Sequence, residues 1–148
     1  MFPSLRPSQR VAVLAAIPPA SLTAGTSAVS AYVKADQFAN YLAVLQTGVL
    51  GASGTLDAKI VQATSAAGAG VKDVAGKSIT QIVKASGDNK QALINLRPDE
   101  LDIQNNYTFF ALSVTADTAA ALGAGVILGL DARFQPPANA SSMVQAVI

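Results

Sequence analysis

The chain has no cysteine, no histidine and no tryptophan among its 148 residues. Without cysteine there is no disulfide and no thiolate ligand for a metal. Without histidine the commonest proton shuttle at neutral pH is missing, and so is the commonest metal ligand. No G-x-S-x-G elbow occurs, and no spacing points to a carboxylate pair or a Ser-Lys dyad. The sequence therefore assigns no catalytic, cofactor-binding or metal-ligating residue and predicts that the protein is not an enzyme.

Charge is also scarce. Charged residues are 13% of the chain and hydrophobic ones 51%, against about 25% charged in an ordinary soluble domain. Mean hydropathy is +0.39. The formal net charge is +1, and the ten basic residues are scattered, with Arg6 and Arg10 the one loose pair at a terminus. Nucleic-acid binding needs clustered Lys and Arg to displace counterions, so no nucleic-acid partner is expected. Tyr107, Phe109 and Phe110 have no Lys or Arg near them in sequence and read as core, not as a base-stacking platform. So few charges cannot cover a free sphere of this size. Either partners cover much of the surface, or a membrane does.

The membrane alternative fails on length. A spanning helix needs about 20 mostly apolar residues, whereas the strongly apolar uncharged run at 118–130 is 13 long. The longer uncharged stretch 11–33 is interrupted by Pro18 and Pro19 and a Ser/Thr/Gly cluster. Residues 11–17 are closed by Pro18-Pro19 and make a poor signal-peptide core, so none is expected.

One domain is expected over 1–148, with an N-terminal arm at 1–10, a core at 11–133 and a C-terminal arm at 134–148. Proline at Pro3, Pro7, Pro136 and Pro137 makes both arms extended. They are expected to pack on other chains and not on their own core. The core reads as short strands between turn signals: 11–17, 40–47, 55–64, 78–84, 91–96, 107–115 and 125–130. About seven short strands predict a mainly β, single-domain sandwich or barrel-like fold. Alanine, 29 residues of it, argues for helix. Phe38, Tyr41, Leu42, Leu45 and Val49 form a helical stripe with Asp36 as a cap, yet strand is preferred for 40–47. Residues 98–101 (PDEL) read as one helical turn.

Three motifs invite a chemical reading, and each has a plainer one. Gly76, Lys77 and Ser78 end like a phosphate-binding loop, and 126–131 (VILGLD) resembles the apolar run ending in Asp that accompanies it. The loop needs four residues between its glycines. Position 71 is Val71, and the nearest upstream glycine, Gly70, leaves five. A turn entering a strand is preferred. Asp99, Glu100 and Asp102 lack the ligand alternation and turn glycine of a calcium loop, which leaves a solvated loop. Gly48, Gly51 and Gly54 lack the acidic residue of a dinucleotide fingerprint and read as a turn.

Several runs together resemble a known family. These are NYLAVLQTG at 40–48, LDAKIVQAT at 56–64 with the small-residue loop 65–70 after it, an aromatic strand in the C-terminal half, and DARFQPP at 131–137 before a small-residue tail. In these features the chain resembles the capsid cement, or decoration, proteins of tailed bacteriophages. The resemblance implies a structural virion protein that binds the outside of the capsid and bridges major capsid subunits. It implies the major capsid protein as partner and self-association, as a homotrimer in preference to a dimer. It places the protein on the capsid surface after synthesis in the host cytoplasm, with no cofactor. The competing readings are a tail or neck component and, from another class, a small-ligand-binding or enzymatic β-sandwich.

Overall fold

Apolar residues recur on both phases of the runs at 11–17, 41–45 and 125–130, the pattern of strands covered on two faces. In the structure, a computed structural model that describes residues 6–134, 137–140 and 142–147, these residues form ten strands. They are β1 (Val11–Leu22), β2 (Thr26–Val29), β3 (Val33–Lys34), β4 (Phe38–Leu50), β5 (Thr55–Ala63), β6 (Lys72–Ser78), β7 (Ile82–Val83), β8 (Gln91–Leu96), β9 (Phe109–Asp117) and β10 (Ala121–Ala132). The fold is mainly β, as the sequence predicts. Residues Asp36–Leu50 are not helical. Tyr41, Ala43 and Leu45 point into the core while Leu42 and Val44 point out, so period two overrides the helical stripe.

All pairing is antiparallel, in two sheets. Sheet A has the order β1-β10-β4-β8, and sheet B the order β2-β9-β5-β6, with β3 continuing the β2 edge and β7 the β6 edge. Taking β2/β3 and β6/β7 as one position each leaves eight positions. The first pairs with the last, the second with the seventh, the third with the sixth and the fourth with the fifth. This is one long antiparallel hairpin rolled into two sheets, the jelly-roll form of the sandwich.

Two differences from the expected strands have clear causes. The run at 11–17 does not stop at Pro18. It continues to Leu22 through a register shift between Ile17 and Ala20. A proline cannot donate to the ladder, but at a bulge on an edge strand no donor is needed. The strand expected at 78–84 is instead divided: β6 ends at Ser78, β7 holds Ile82 and Val83, and Lys84–Ser86 form a 3-10 turn. The 3-10 turn at Pro98–Glu100 appears where the sequence places it.

The core lies between the sheets. Sheet A contributes Ala12, Ala15, Ile17, Tyr41, Leu45, Ile94 and Ile127, and sheet B contributes Leu56, Ile60, Phe110, Leu112 and Val114, all buried. Tyr41 meets Phe110 edge-on at 4.7 Å and Phe38 at 5.9 Å between ring centroids. Burial raises the Tyr41 phenol above its ordinary pKa.

The C-terminal arm differs from expectation. Val13 N–H donates to Asn139 Oδ1 at 2.8 Å, and Ala140 N–H donates to the Val13 carbonyl at 2.8 Å. Asn139 and Ala140 thus bond to the free edge of β1 in their own domain, where Val13 has backbone groups that β10 does not use. Of the N-terminal arm, Pro7–Gln9 form a 3-10 turn leading into β1, and residues 1–5 lie outside the described residues, as do 135, 136, 141 and 148.

Candidate interaction surface

The outward positions of the two sheets differ in chemistry. On sheet A the pairing sets up four rows. Val11, Leu130 and Asn40 form the first, and Val13, Leu128, Leu42 and Asn95 the second. Ala16, Val126, Val44 and Leu93 form the third, and Ala124, Gln46 and Gln91 the fourth. No residue in these rows is charged. Asp131, at the margin, accepts a hydrogen bond from Asn40 Nδ2 at 2.8 Å. The central residues are half-buried, as expected for one open face, and Leu93 on the edge strand is 61% exposed. A shallow groove of about 240 Å³ crosses the face beside Pro18 and Pro19, lined by Ala16, Val44, Ala124 and Val126 among others.

Strand β10 carries the clearest signal. Its inward positions include Gly123, Gly125 and Gly129, and its outward ones are Leu122, Ala124, Val126, Leu128 and Leu130. Apart from the buried Ile127, the large apolar side chains of this strand face away from the core. Inside, there is no room for them: a Cβ on Gly129 would sit 2.7 Å from the Phe38 ring. A soluble strand ordinarily shows the opposite polarity, apolar inward and polar outward.

Sheet B is the contrast. Its outer face carries Ser27, Thr55, Asp57, Lys59, Ser113 and Thr115, and most of these groups are engaged within the chain. Ser27 and Thr115 share a hydroxyl bond of 2.6 Å, Lys59 pairs with Asp73 at 2.8 Å, and Gln81 donates to Asp57 at 2.7 Å.

The residues of the three motifs lie at separate places in the fold. Gly76, Lys77 and Ser78 lie in β6, and Lys77 Nζ pairs with Glu100 at 2.8 Å. The 126–131 run lies in β10, in the other sheet. Asp99 pairs with Arg97 at 3.0 Å, and Asp102 pairs with Lys72, whose ammonium also lies 4.0 Å from the Tyr107 ring centroid. The three acids at 99–102 are therefore not brought together around a common point. Among the described residues no group of three or more metal-ligating acids occurs, and no helix is long and apolar enough to cross a membrane. A depression of about 510 Å³ lies beside the C-terminal arm, between Asp36, Phe38, Arg133 and Pro137.

Three carboxylates are held below their ordinary pKa. Asp88 accepts from the Leu50 backbone N–H and then from Lys84, Glu100 from Lys77, and Asp102 from Lys72 and then Asn105. A carboxylate with a depressed folded pKa stabilises the fold above its unfolded pKa and loses that contribution as pH falls through the folded value. Denaturant midpoints are therefore expected to hold at neutral pH and to fall from about pH 4 downward. Asp88→Asn, which keeps an acceptor for Leu50 but cannot ionise, is expected to flatten part of that decline. An identical acid profile for the variant would exclude Asp88 as a contributor.

No family model and no curated protein matches the chain. Among solved structures, the chain is similar to one described as a Bacillus endospore appendage from a family of disulfide-linked pili. That match has 16% identity and a TM-score of 0.34, and covers 86% of this chain and 96% of the other. It is also similar to the cowpea mosaic virus top component, the naturally occurring empty particles, with 12% identity, a TM-score of 0.42, and 86% and 90% covered.

Proposed function

We propose that the protein is a structural, non-enzymatic component of a larger protein assembly. Within that class we assign it to the outside of a tailed-bacteriophage head, where it bridges major capsid subunits as a cement or decoration protein. One observation carries the first statement: the outer face of sheet A is apolar and free of charge on a domain whose core is already complete. Interface cores are depleted in charged residues in the same way, and a contiguous apolar patch of this kind marks an interaction site. The assignment to a phage head rests on the sequence runs at 40–48, 56–64 and 131–137. A jelly roll by itself does not choose between these roles, since the form occurs in capsid and lectin domains alike.

The test is to apply an antibody against the chain to particles purified from the organism that encodes it, and to image them. Labelled icosahedral shells are expected. Label confined to tails would move the protein to the tail or neck, and label on no particle would overturn the structural reading.

A further inference from the structure

We infer that the outer face of sheet A is covered by the same face of a second copy of this chain, the two related by a two-fold axis. The inference rests on the assembly reading above and names the partner of that surface.

Three properties of the face point to a second copy. The first is neutrality. A heterologous partner can place a charge opposite a charge, but a surface that meets its own copy near a two-fold axis meets like with like. The rows centred on Val126 and Val44 contain no charge at all, the composition that like-meets-like pairing requires. The second is the kind of polar group present. Every polar side chain in the four rows is a carboxamide: Asn40, Gln46, Gln91 and Asn95. A carboxamide both donates and accepts, so it can bond to its own counterpart, which a carboxylate or an ammonium cannot. Asn40 is spent on Asp131, whereas Gln46, Gln91 and Asn95 make no side-chain hydrogen bond to another described residue. The third is size. Four strands of 6 to 13 residues span roughly 700 Å² at about 4.8 Å between strands and about 3.3 Å per residue. A standard stable interface takes about 800 Å² per partner.

The resulting geometry is an ordinary one. Two sheets pack face to face about 10 Å apart with strands within about 30° of parallel, their side chains interdigitating. Leu128, Val126, Leu42 and Val44 would fill that layer, and the carboxamides of the β4 and β8 rows would form its polar border. A face of this area is used up by one partner, so it builds a pair in place of the trimer that the family resemblance implies.

Sedimentation equilibrium of the purified chain tests this. The wild type is expected at the mass of two chains, one being 15.0 kDa. Val126→Asp, at the centre of the face, is expected to weaken pairing by roughly 100-fold or more, because it buries an unpaired charge in each copy. Leu93→Asp, on the edge strand and already exposed, is the second variant. It is expected to weaken pairing with an unchanged circular dichroism spectrum, and its thermal midpoint is expected to lose the concentration dependence that pairing gives the wild type, so disruption of the fold by Val126→Asp would not obscure the result. A wild type at one-chain mass at every concentration would overturn the inference, as would a pair that neither variant disturbs. One-chain protein that still decorates shells would refute the pairing and leave the structural reading intact. A pair found on no particle would refute the structural reading and leave the pairing intact.

Discussion

Phe110→Ala is expected to remove about 3–5 kcal/mol of folding stability, the range for truncating a buried phenylalanine. Phe110 is 1% exposed, sits on the central strand β9, and packs edge-on against Tyr41 across the gap between the sheets. Removing the ring leaves a cavity walled by β-strands, which are bonded along their length and cannot collapse into it. Total stability of a domain is about 5–15 kcal/mol, so the change would use up a large share of it. For a chain of this size it corresponds to a thermal midpoint lower by roughly 10 °C. Phe110→Leu keeps most of the volume and should lose much less. A change below about 1 kcal/mol for the alanine variant would mean that the two sheets do not share this core.

Gly129→Val is the second large effect, and it separates packing from backbone conformation. Gly129 does not need positive φ, so its backbone accepts any residue. The obstacle is the Phe38 ring, three of whose carbons would lie 2.7–2.8 Å from a new Cβ. A buried ring cannot swing aside as the tip of a leucine can. Forced repacking of this kind costs about 1–3 kcal/mol and sometimes more. Gly123→Ala on the same strand is the control. Its Cβ would find Leu56 at 3.7 Å and Leu22 at 3.9 Å, ordinary contacts, and alanine there should be neutral or stabilising by about 0.4–1 kcal/mol. Equal urea midpoints for Gly129→Val and the wild type would show that sheet A does not approach the core through its glycines.

The contrast between these two glycines also shows what the sequence could and could not reveal. Alternation and β-branched content locate strands, and β8 runs from Gln91 to Leu96 as the sequence predicts. β5 ends within one residue of its expected bound. Periodicity gives two phases on a strand but not which one faces the core. On β10 both phases carry large apolar residues, and the register puts Gly125, Ile127 and Gly129 inside and Val126 and Leu128 outside. Only the pairing with β4 settles that choice. The scarcity of charge signals a covered surface but carries no position, so the outer face of sheet A is visible only after folding. The continuation of β1 past Pro18 and Pro19 is hidden for another reason. Proline ends a central strand but not an edge strand at a bulge, and edge position is a property of the sheet. The C-terminal arm has an extended character legible in its prolines, while its docking on Val13 depends on the free edge of β1. The ion pairs of the acids at 100 and 102 are not legible in the sequence, because Lys77 and Lys72 reach Glu100 and Asp102 from another strand.

The central claim is that a domain with a complete core presents the outer face of sheet A to another protein. Because the chain has no cysteine, a single introduced thiol reports on one position alone. Leu128→Cys places it in the middle of that face, and Val29→Cys places it on the edge strand of sheet B, 48% exposed. Maleimide labelling rates of the two variants, in the native assembly and again after unfolding, test the claim most directly. The account predicts that Cys at 128 is protected in the assembly and reacts fully once unfolded, while Cys at 29 reacts readily in both. Equally fast labelling at both positions in the native assembly would contradict it.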